Sequence, residues 1–95
     1  GHRPRVFFQI DASPIVSAGT DTFIHELIET AGGINLTDGP VPYPRLSWEE
    51  VLSLAPEVAI VTSMAGGLSE EALLARWRRW PQIPAVSTGR VHVVD

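Results

Sequence analysis

The chain has 95 residues, of which 44% are hydrophobic, and it carries a formal net charge of −4 and no cysteine. This length and composition are typical of one folded domain, and no apolar run approaches the ~20 residues that cross a bilayer. The acidic balance disfavours nucleic acid as a partner, and the lack of cysteine excludes disulfides, thiolate metal sites and cysteine nucleophiles.

The first predicted element is a strand over residues 5–10, in which Gln9 is the only polar interruption of an apolar run. Residues 11–19 follow as a loop that is unusually apolar, with two serines interspersed and Gly19 at its end. Such a loop either tucks against the core or faces a ligand, because pocket walls combine small apolar residues with a few hydroxyl groups. The residues alone leave both interpretations open.

A first helix is predicted over residues 22–31, where apolar side chains recur at the spacing of one helix face. A polar residue at position 21 or 22 can cap its start, and the Gly-Gly pair that follows can end it in a left-handed conformation. Residues 34–36 are expected to be extended. In the loop at residues 38–44, three prolines restrict the backbone, so the loop presents Tyr43 at little entropic cost.

The most informative stretch begins at Ser47, which has the capping-box spacing to Glu50 at the start of a second helix. Pro56 prevents that helix from continuing. Residues 58–61 are then apolar without alternation, which predicts a strand covered on both faces, as in a parallel sheet flanked by helices. The glycine-bearing turn at residues 62–67 is a candidate site wall, because ligands of open α/β sheets bind outside the carboxyl ends of strands.

Ser69 is expected to cap a third helix that extends to about Trp77. Residues 83–86 are interpreted as a short strand or the approach to one, and residues 91–94 as the last strand. Alternation of strands and helices predicts an α/β fold, a three-layer sandwich in which a mostly parallel twisted sheet has helices on both faces.

The residues contain no recognisable catalytic set. No nucleophile elbow occurs, and no phosphate-binding glycine motif follows a strand. His25 and Glu29 have i, i+4 spacing, but an ordinary solvated helix face explains them better than a metal site does, and His92 stands alone. The chain is therefore expected not to be an enzyme and to need neither metal nor cofactor.

Two charged segments have alternative explanations. The run of arginines and tryptophans at residues 76–80 could form a nucleic-acid or membrane patch, but a helix end with its tryptophans packed inward fits the acidic net charge better. The pair Glu49-Glu50 could contact arginines of a partner, although a capping box with solvent exposure is the more ordinary explanation.

Taken together, these residues resemble a known family. The run VPYPRLSWEEVLSLAPEVAIVTSMAGG resembles the carboxyl-terminal lobe of the ABC-transporter periplasmic binding proteins that capture vitamin B12, haem or ferric siderophores. The similarity is greatest to the cobalamin-binding branch. RVFFQI with its Ser/Pro-rich loop, the Ala-Gly-Gly that precedes Asn35, and the closing IPAVSTGRVHVVD match as well, so the resemblance covers nearly all of residues 4–95. Tyr43 stands where the family often has tryptophan.

The resemblance implies two α/β lobes joined by a rigid helix, with ligand held in the cleft between them and the protein docking on a membrane permease through carboxylates. It implies a periplasmic location, or a lipid-anchored one outside a Gram-positive cell. The ligand would be a corrinoid or an iron chelate. The cleft-facing positions lie in three loops, and the expected ligand contacts are Ser13, Pro14, Ile15, Ser17, Gly19, Tyr43, Ser63, Met64 and Gly66.

Residues 1–2 are interpreted as the remnant of a tag, and residues 3–95 as one lobe cut from a longer protein. Two further functions remain open. A flavodoxin-like enzyme domain that binds flavin or a nucleotide would need a loop that cradles phosphate. A protein-interaction module would dimerise through the surface that the first lobe normally covers, which should leave an exposed apolar patch.

Overall fold

The computed structural model describes residues 1–62 and 67–94. Seven strands and four helices lie within these residues. In chain order they are β1 (Arg5–Gln9), β2 (Asp11–Ala12), β3 (Ile15–Val16), α1 (Phe23–Thr30), β4 (Ile34–Asn35), β5 (Arg45–Leu46), α2 (Trp48–Leu54), β6 (Val58–Thr62), α3 (Glu70–Arg78), α4 (Pro84–Ser87) and β7 (Val91–Val94).

The main sheet consists of four parallel strands in the order β4-β1-β6-β7. β1 and β6 are the central pair, with Val6 opposite Val58 and Gln9 opposite Val61. β6 contains the apolar run for which the sequence predicts cover on both faces. The prediction of a mostly parallel sheet is therefore confirmed.

Helices cover the two faces of this sheet unequally. α2, α3 and α4 pack on one face and enclose the main core, whose buried members include Phe7, Val51, Ala59, Val61, Leu73, Trp77, Ile83 and Ala85. α1 lies on the other face, where its apolar side chains approach the opposite sides of β1 and β6. Helices on both faces confirm the predicted three-layer sandwich.

The α1 face is incompletely covered. A groove of about 410 Å³ remains between α1 and the sheet, and apolar side chains such as Phe8, Ile24 and Ile60 line it. On α1 itself, Phe23 is 72% exposed and Leu27 is 50% exposed. The sheet therefore has one fully packed face and one that remains partly open to solvent.

The predicted helix caps are present. Thr22 accepts a hydrogen bond from the backbone N–H of His25 at the start of α1, and Ser69 accepts one from that of Ala72 at the start of α3. At α2 the capping box is complete, because the Ser47 hydroxyl accepts from the Glu50 N–H while the Glu50 carboxylate accepts from the Ser47 N–H. No described helix is long and apolar enough to span a membrane.

The structure corrects the interpretation of residues 83–86 as a strand, because Pro84–Ser87 form the short helix α4. Proline is favourable at the first position of a helix, where its fixed φ is suitable and its missing N–H needs no partner. The Ala85 N–H is bonded to the Pro56 carbonyl at 2.9 Å, which ties α4 to the start of β6. Apolar residues in a short run could not distinguish these two conformations.

The tryptophans of the basic segment pack inward, as predicted. Trp77 is fully buried, and its indole N–H donates to the Gln9 side-chain oxygen at 2.7 Å. Trp48 meets Trp77 edge to face with ring centroids 5.0 Å apart, and it stacks on Trp80 at 6.1 Å. The hydrogen bond also explains the single polar residue inside β1, since Gln9 provides the acceptor that a buried indole needs.

Candidate functional site

Beyond the carboxyl end of β1, the chain forms a small second sheet. Its three antiparallel strands have the order β2-β3-β5, so the stretch predicted as a loop at residues 11–19 contains a hairpin. Ser13 and Pro14 occupy the tip of this hairpin and are exposed. The sequence missed these strands because each has only two residues, too few for periodicity to show.

The loop at residues 39–44 lies alongside the segment that follows β3. The backbone N–H groups of Ser17, Gly19 and Thr20 donate to the carbonyls of Pro44, Pro42 and Gly39 over 2.7–3.0 Å. The two loops that the sequence assigned to a ligand site are thus bonded side by side. We call residues 13–20 and 39–44 together the lip.

Gly19 allows this close approach. A Cβ atom built on Gly19 would lie 1.9 Å from the carbonyl oxygen of Val41, far inside van der Waals contact. The clash is with backbone, so no side-chain rotation could relieve it. The absence of a side chain at this position is therefore required for the two segments of the lip to be neighbours.

The expected ligand contacts in the lip divide into two groups. Ser13, Pro14 and Tyr43 are exposed, and Tyr43 retains 59% of its accessible surface. Ile15, Ser17 and Gly19 are buried. The first group can touch a ligand with its side chains. The second group lies behind it and holds the lip together.

A buried polar cluster lies behind the lip, and the sequence analysis did not identify it. Its centre is Asn35 in β4, which is 1% exposed. The Asn35 amide nitrogen donates to the Ala18 carbonyl at 2.9 Å, and Thr37 contacts the same carbonyl and the Ser17 hydroxyl. The asparagine after the Gly-Gly helix stop was the available signal, because a polar side chain between the apolar residues Ile34 and Leu36 needs partners if the strand buries it.

The third predicted loop, residues 62–67, follows β6 in the chain. Ser63, Met64 and Gly66 lie outside the described residues. Immediately before them, the Thr62 hydroxyl donates to the Ile10 carbonyl at 3.0 Å, at the junction between β1 and the small sheet. The carboxyl ends of β1 and β6 are thus joined beside the lip, where the strand-end rule predicts a ligand.

Outside the lip, the acidic groups have structural partners or solvent around them. Hydrogen bonds from the Arg5 backbone N–H and from the His2 ring hold the pKa of the Glu57 carboxyl below its usual range. His25 is not on a solvated face as expected, because its Nδ1 lies 3.0 Å from the Asn35 amide nitrogen. No group of three or more metal-ligating side chains occurs among residues 1–62 and 67–94.

Two open grooves occur on the described surface, one near the lip and one beneath α1. A groove of about 430 Å³ lies between the base of the lip and α2, and its lining mixes apolar side chains with Thr37, Asp38 and Arg45. The more apolar groove beneath α1 involves Pro4, Val6 and Val58, towards the amino ends of the strands and away from the lip. Within the described residues, the lip therefore borders open surface and does not enclose a cavity by itself.

Comparison with known proteins identifies the family of this chain. The profile of a family described as periplasmic binding protein matches residues 3–95. The chain belongs to the periplasmic binding protein family. A vitamin B12-binding protein of Salmonella paratyphi A is 32% identical over 85 residues, which cover 88% of this chain and 31% of the relative. This periplasmic binding protein chain thus spans about a third of the curated relatives that it matches.

Solved structures agree with this membership. A periplasmic vitamin B12-binding protein of Vibrio cholerae superposes with a TM-score of 0.82 at 28% identity, over 99% of this chain and 36% of that one. A periplasmic haem-binding protein from Roseiflexus superposes with a TM-score of 0.79 at 27% identity, over 99% and 38% of the two chains. The family resemblance and the α/β fold are confirmed, and the family is one of binding proteins and not of flavodoxin-like enzymes.

Proposed function

We propose that this periplasmic binding protein lobe provides one wall of a cleft that captures a corrinoid or a haem-like iron chelate for an ABC importer. The observation that carries the proposal is the lip, in which two loops at the carboxyl edge of the sheet are bonded together and present Tyr43 to solvent. The vitamin B12-binding relatives favour a corrinoid as the ligand. The haem-binding neighbours support the second ligand class.

Such a wall works by contact and not by chemistry. Both ligand classes have a broad ring system, and burial of apolar surface contributes about 25 cal/mol per Å², less the cost of association. Tyr43 offers an aromatic face for stacking and a hydroxyl for one hydrogen bond. Because prolines flank Tyr43 on both sides, little backbone freedom is lost when a ligand binds.

Release to a permease requires a docking surface as well as a cleft. Glu50 is occupied by the capping box, whereas Glu49 is exposed in the first turn of α2, shortly after Tyr43 and β5. Glu49 is therefore available to meet an arginine of a permease. In the longer protein, Glu49→Gln should weaken binding to the permease in nanodiscs and leave ligand affinity unchanged; unaltered permease binding would reject this contact.

Isothermal titration calorimetry tests the ligand proposal. The longer protein is titrated with cyanocobalamin, dicyanocobinamide and haemin in turn. Tyr43→Ala should raise the dissociation constant of the preferred ligand by about tenfold, the equivalent of ~1.4 kcal/mol. Tyr43→Phe should retain most of the affinity if stacking dominates. Leu27→Ala is the control, because it removes an exposed apolar side chain from α1 at the groove that lies away from the lip. Failure of all three probes to bind would reject the proposal.

The open α1 face favours a second behaviour of the isolated lobe, which is self-association. Leu27 is exposed and lines the apolar groove, Phe23 is exposed on the same helix, and a surface of this kind tends to pair in water. Sedimentation of the 95-residue chain across concentration should show a dimer that Leu27→Glu abolishes. A monomer at every concentration would exclude it.

A further inference from the structure

We infer that Asn35 is the positioning residue of the lip: its buried amide fixes where the lip stands relative to the main sheet, and through that it sets ligand affinity. The inference rests on the proposed function for its ligand-binding consequence. Its structural part, the placement of the lip in the free protein, does not need a ligand and can be tested alone.

The Asn35 amide is hydrogen-bonded through both its nitrogen and its oxygen. Its two N–H groups face the Ala18 carbonyl oxygen at 2.9 Å and His25 Nδ1 at 3.0 Å. Its oxygen accepts from the Thr37 backbone N–H at 3.2 Å and lies 3.1 Å from the Thr37 hydroxyl. A flipped amide would set its oxygen against the Ala18 carbonyl and its nitrogen against the Thr37 N–H, so only this orientation satisfies the cluster.

The cluster connects the lip to a fixed element. Asn35 is paired with Val6 in the parallel sheet, so its backbone is held by β1. The Ala18 carbonyl that it binds lies in the first segment of the lip. That segment is bonded in turn to the proline loop, through Ser17 and its neighbours. A displacement of the Asn35 amide would therefore shift both segments and carry Tyr43 with them.

Thr37 reinforces the same contact. Its hydroxyl has one hydrogen, which it donates to the Ala18 carbonyl at 2.7 Å, while the Ser17 hydroxyl donates to it at 2.8 Å. The Ala18 carbonyl thus receives two side-chain donors and is buried. Loss of either donor would leave a partly satisfied buried network, which is unfavourable enough to drive a local rearrangement.

The chain contains one tyrosine, which makes a direct test simple. Incorporation of 3-fluorotyrosine places a single ¹⁹F signal on Tyr43, in the lip. Asn35→Asp keeps the size of the side chain but removes both donors and sets an oxygen against the Ala18 carbonyl. We expect the Tyr43 signal of the free 95-residue chain to shift, broaden or split in Asn35→Asp. Leu74→Ala, a half-buried change on α3, is the control and should leave the signal in place.

Thr37→Val provides a second, milder variant in case Asn35→Asp does not fold. It removes one donor to Ala18 and should move the Tyr43 signal in the same direction by a smaller amount. An unchanged signal in the folded variants would overturn the inference.

In the longer protein, Asn35→Asp should weaken cyanocobalamin binding by about tenfold or more and Leu74→Ala by less than about twofold. If cyanocobalamin, dicyanocobinamide and haemin all fail to bind the longer protein, the proposed function fails while the positioning result in the 95-residue chain stands.

Discussion

At the scale of single residues, Gly19 has a role that no residue with a side chain could fill. We predict that Gly19→Ala separates the two segments of the lip, because the new methyl group would collide with the Val41 carbonyl. The expected results are a displaced Tyr43 ¹⁹F signal, a ligand affinity lowered by about tenfold and a lower melting temperature. Fluorine NMR and calorimetry measure these effects.

Gly32→Ala is the control for that substitution. Gly32 has a φ of +89° and open space around its Cβ position, so alanine there costs backbone strain of about 1 kcal/mol without a collision. It should lower stability and leave the Tyr43 signal unmoved. If both variants gave the same ¹⁹F spectrum as the wild type, close packing at Gly19 would not be needed for the lip.

The lowered pKa of Glu57 predicts that the stability of the chain depends on pH. Its pKa is lowered in the folded chain, first by the Arg5 backbone N–H and then by the His2 side chain. A lowered pKa stabilises the fold at pH values above the ordinary carboxyl range, and this stabilisation is lost as the pH falls through the folded-state pKa. Glu57→Gln should therefore reduce the difference between urea midpoints at pH 7 and at acid pH. Glu71→Gln makes the same charge change on α3. Its urea midpoints at pH 7 and at acid pH should differ by more than those of Glu57→Gln.

At the scale of elements, α3 is joined to β1 by a buried hydrogen bond in addition to the packing of Trp77 on Phe7. Trp77→Phe should destabilise the chain by about 1–3 kcal/mol, because it leaves the Gln9 side-chain oxygen buried without its donor. Trp80→Phe is the matched control. Within the described residues the Trp80 indole N–H has no hydrogen-bond partner, so this change reduces ring volume and the stacking on Trp48 without breaking a described hydrogen bond. Equal losses in urea denaturation would contradict the role of the hydrogen bond.

Two neighbouring carboxylates at the start of α2, those of Glu49 and Glu50, have different roles in stability. Glu50→Ala removes half of the capping box and should lower the free energy of unfolding by about 0.5–1 kcal/mol. Glu49→Ala removes only a favourable charge near the helix amino end and should cost less than Glu50→Ala. Urea denaturation of the two variants compares them directly. A larger loss for Glu49→Ala would mean that Glu49 has a structural contact.

Local signals predicted most elements because each has a cause within a few residues. Capping residues, a proline stop and an apolar run without alternation sufficed for α2 and β6, and the four strands of the main sheet were all predicted. The hairpin at residues 11–16 and the helix Pro84–Ser87 were not. Their conformations depend on partners distant in the chain, namely Arg45–Leu46 for the hairpin and Pro56 for the helix.

At the scale of the whole molecule, the lip is one wall and the chain spans about a third of its curated relatives. We predict that the 95-residue lobe binds its ligand weakly or not at all, because half of a cleft loses much of the apolar burial that the complete cleft provides. Parallel titrations of lobe and longer protein with cyanocobalamin or dicyanocobinamide measure the difference. Equal affinities would show that the lobe holds the ligand by itself.

The sequence by itself determined the α/β class and the approximate bounds of α1, α2 and α3, because these follow from short-range patterns of apolar, capping and turn residues. The family followed from the resemblance of whole segments to known proteins. Only the tertiary structure decided which residues of the proposed site face outward. Ser17 and Tyr43 are both polar loop residues in the sequence, yet the fold buries Ser17 against Thr37 and exposes Tyr43. Asn35 gained its central place for the same reason: its partners come from segments that only folding brings together.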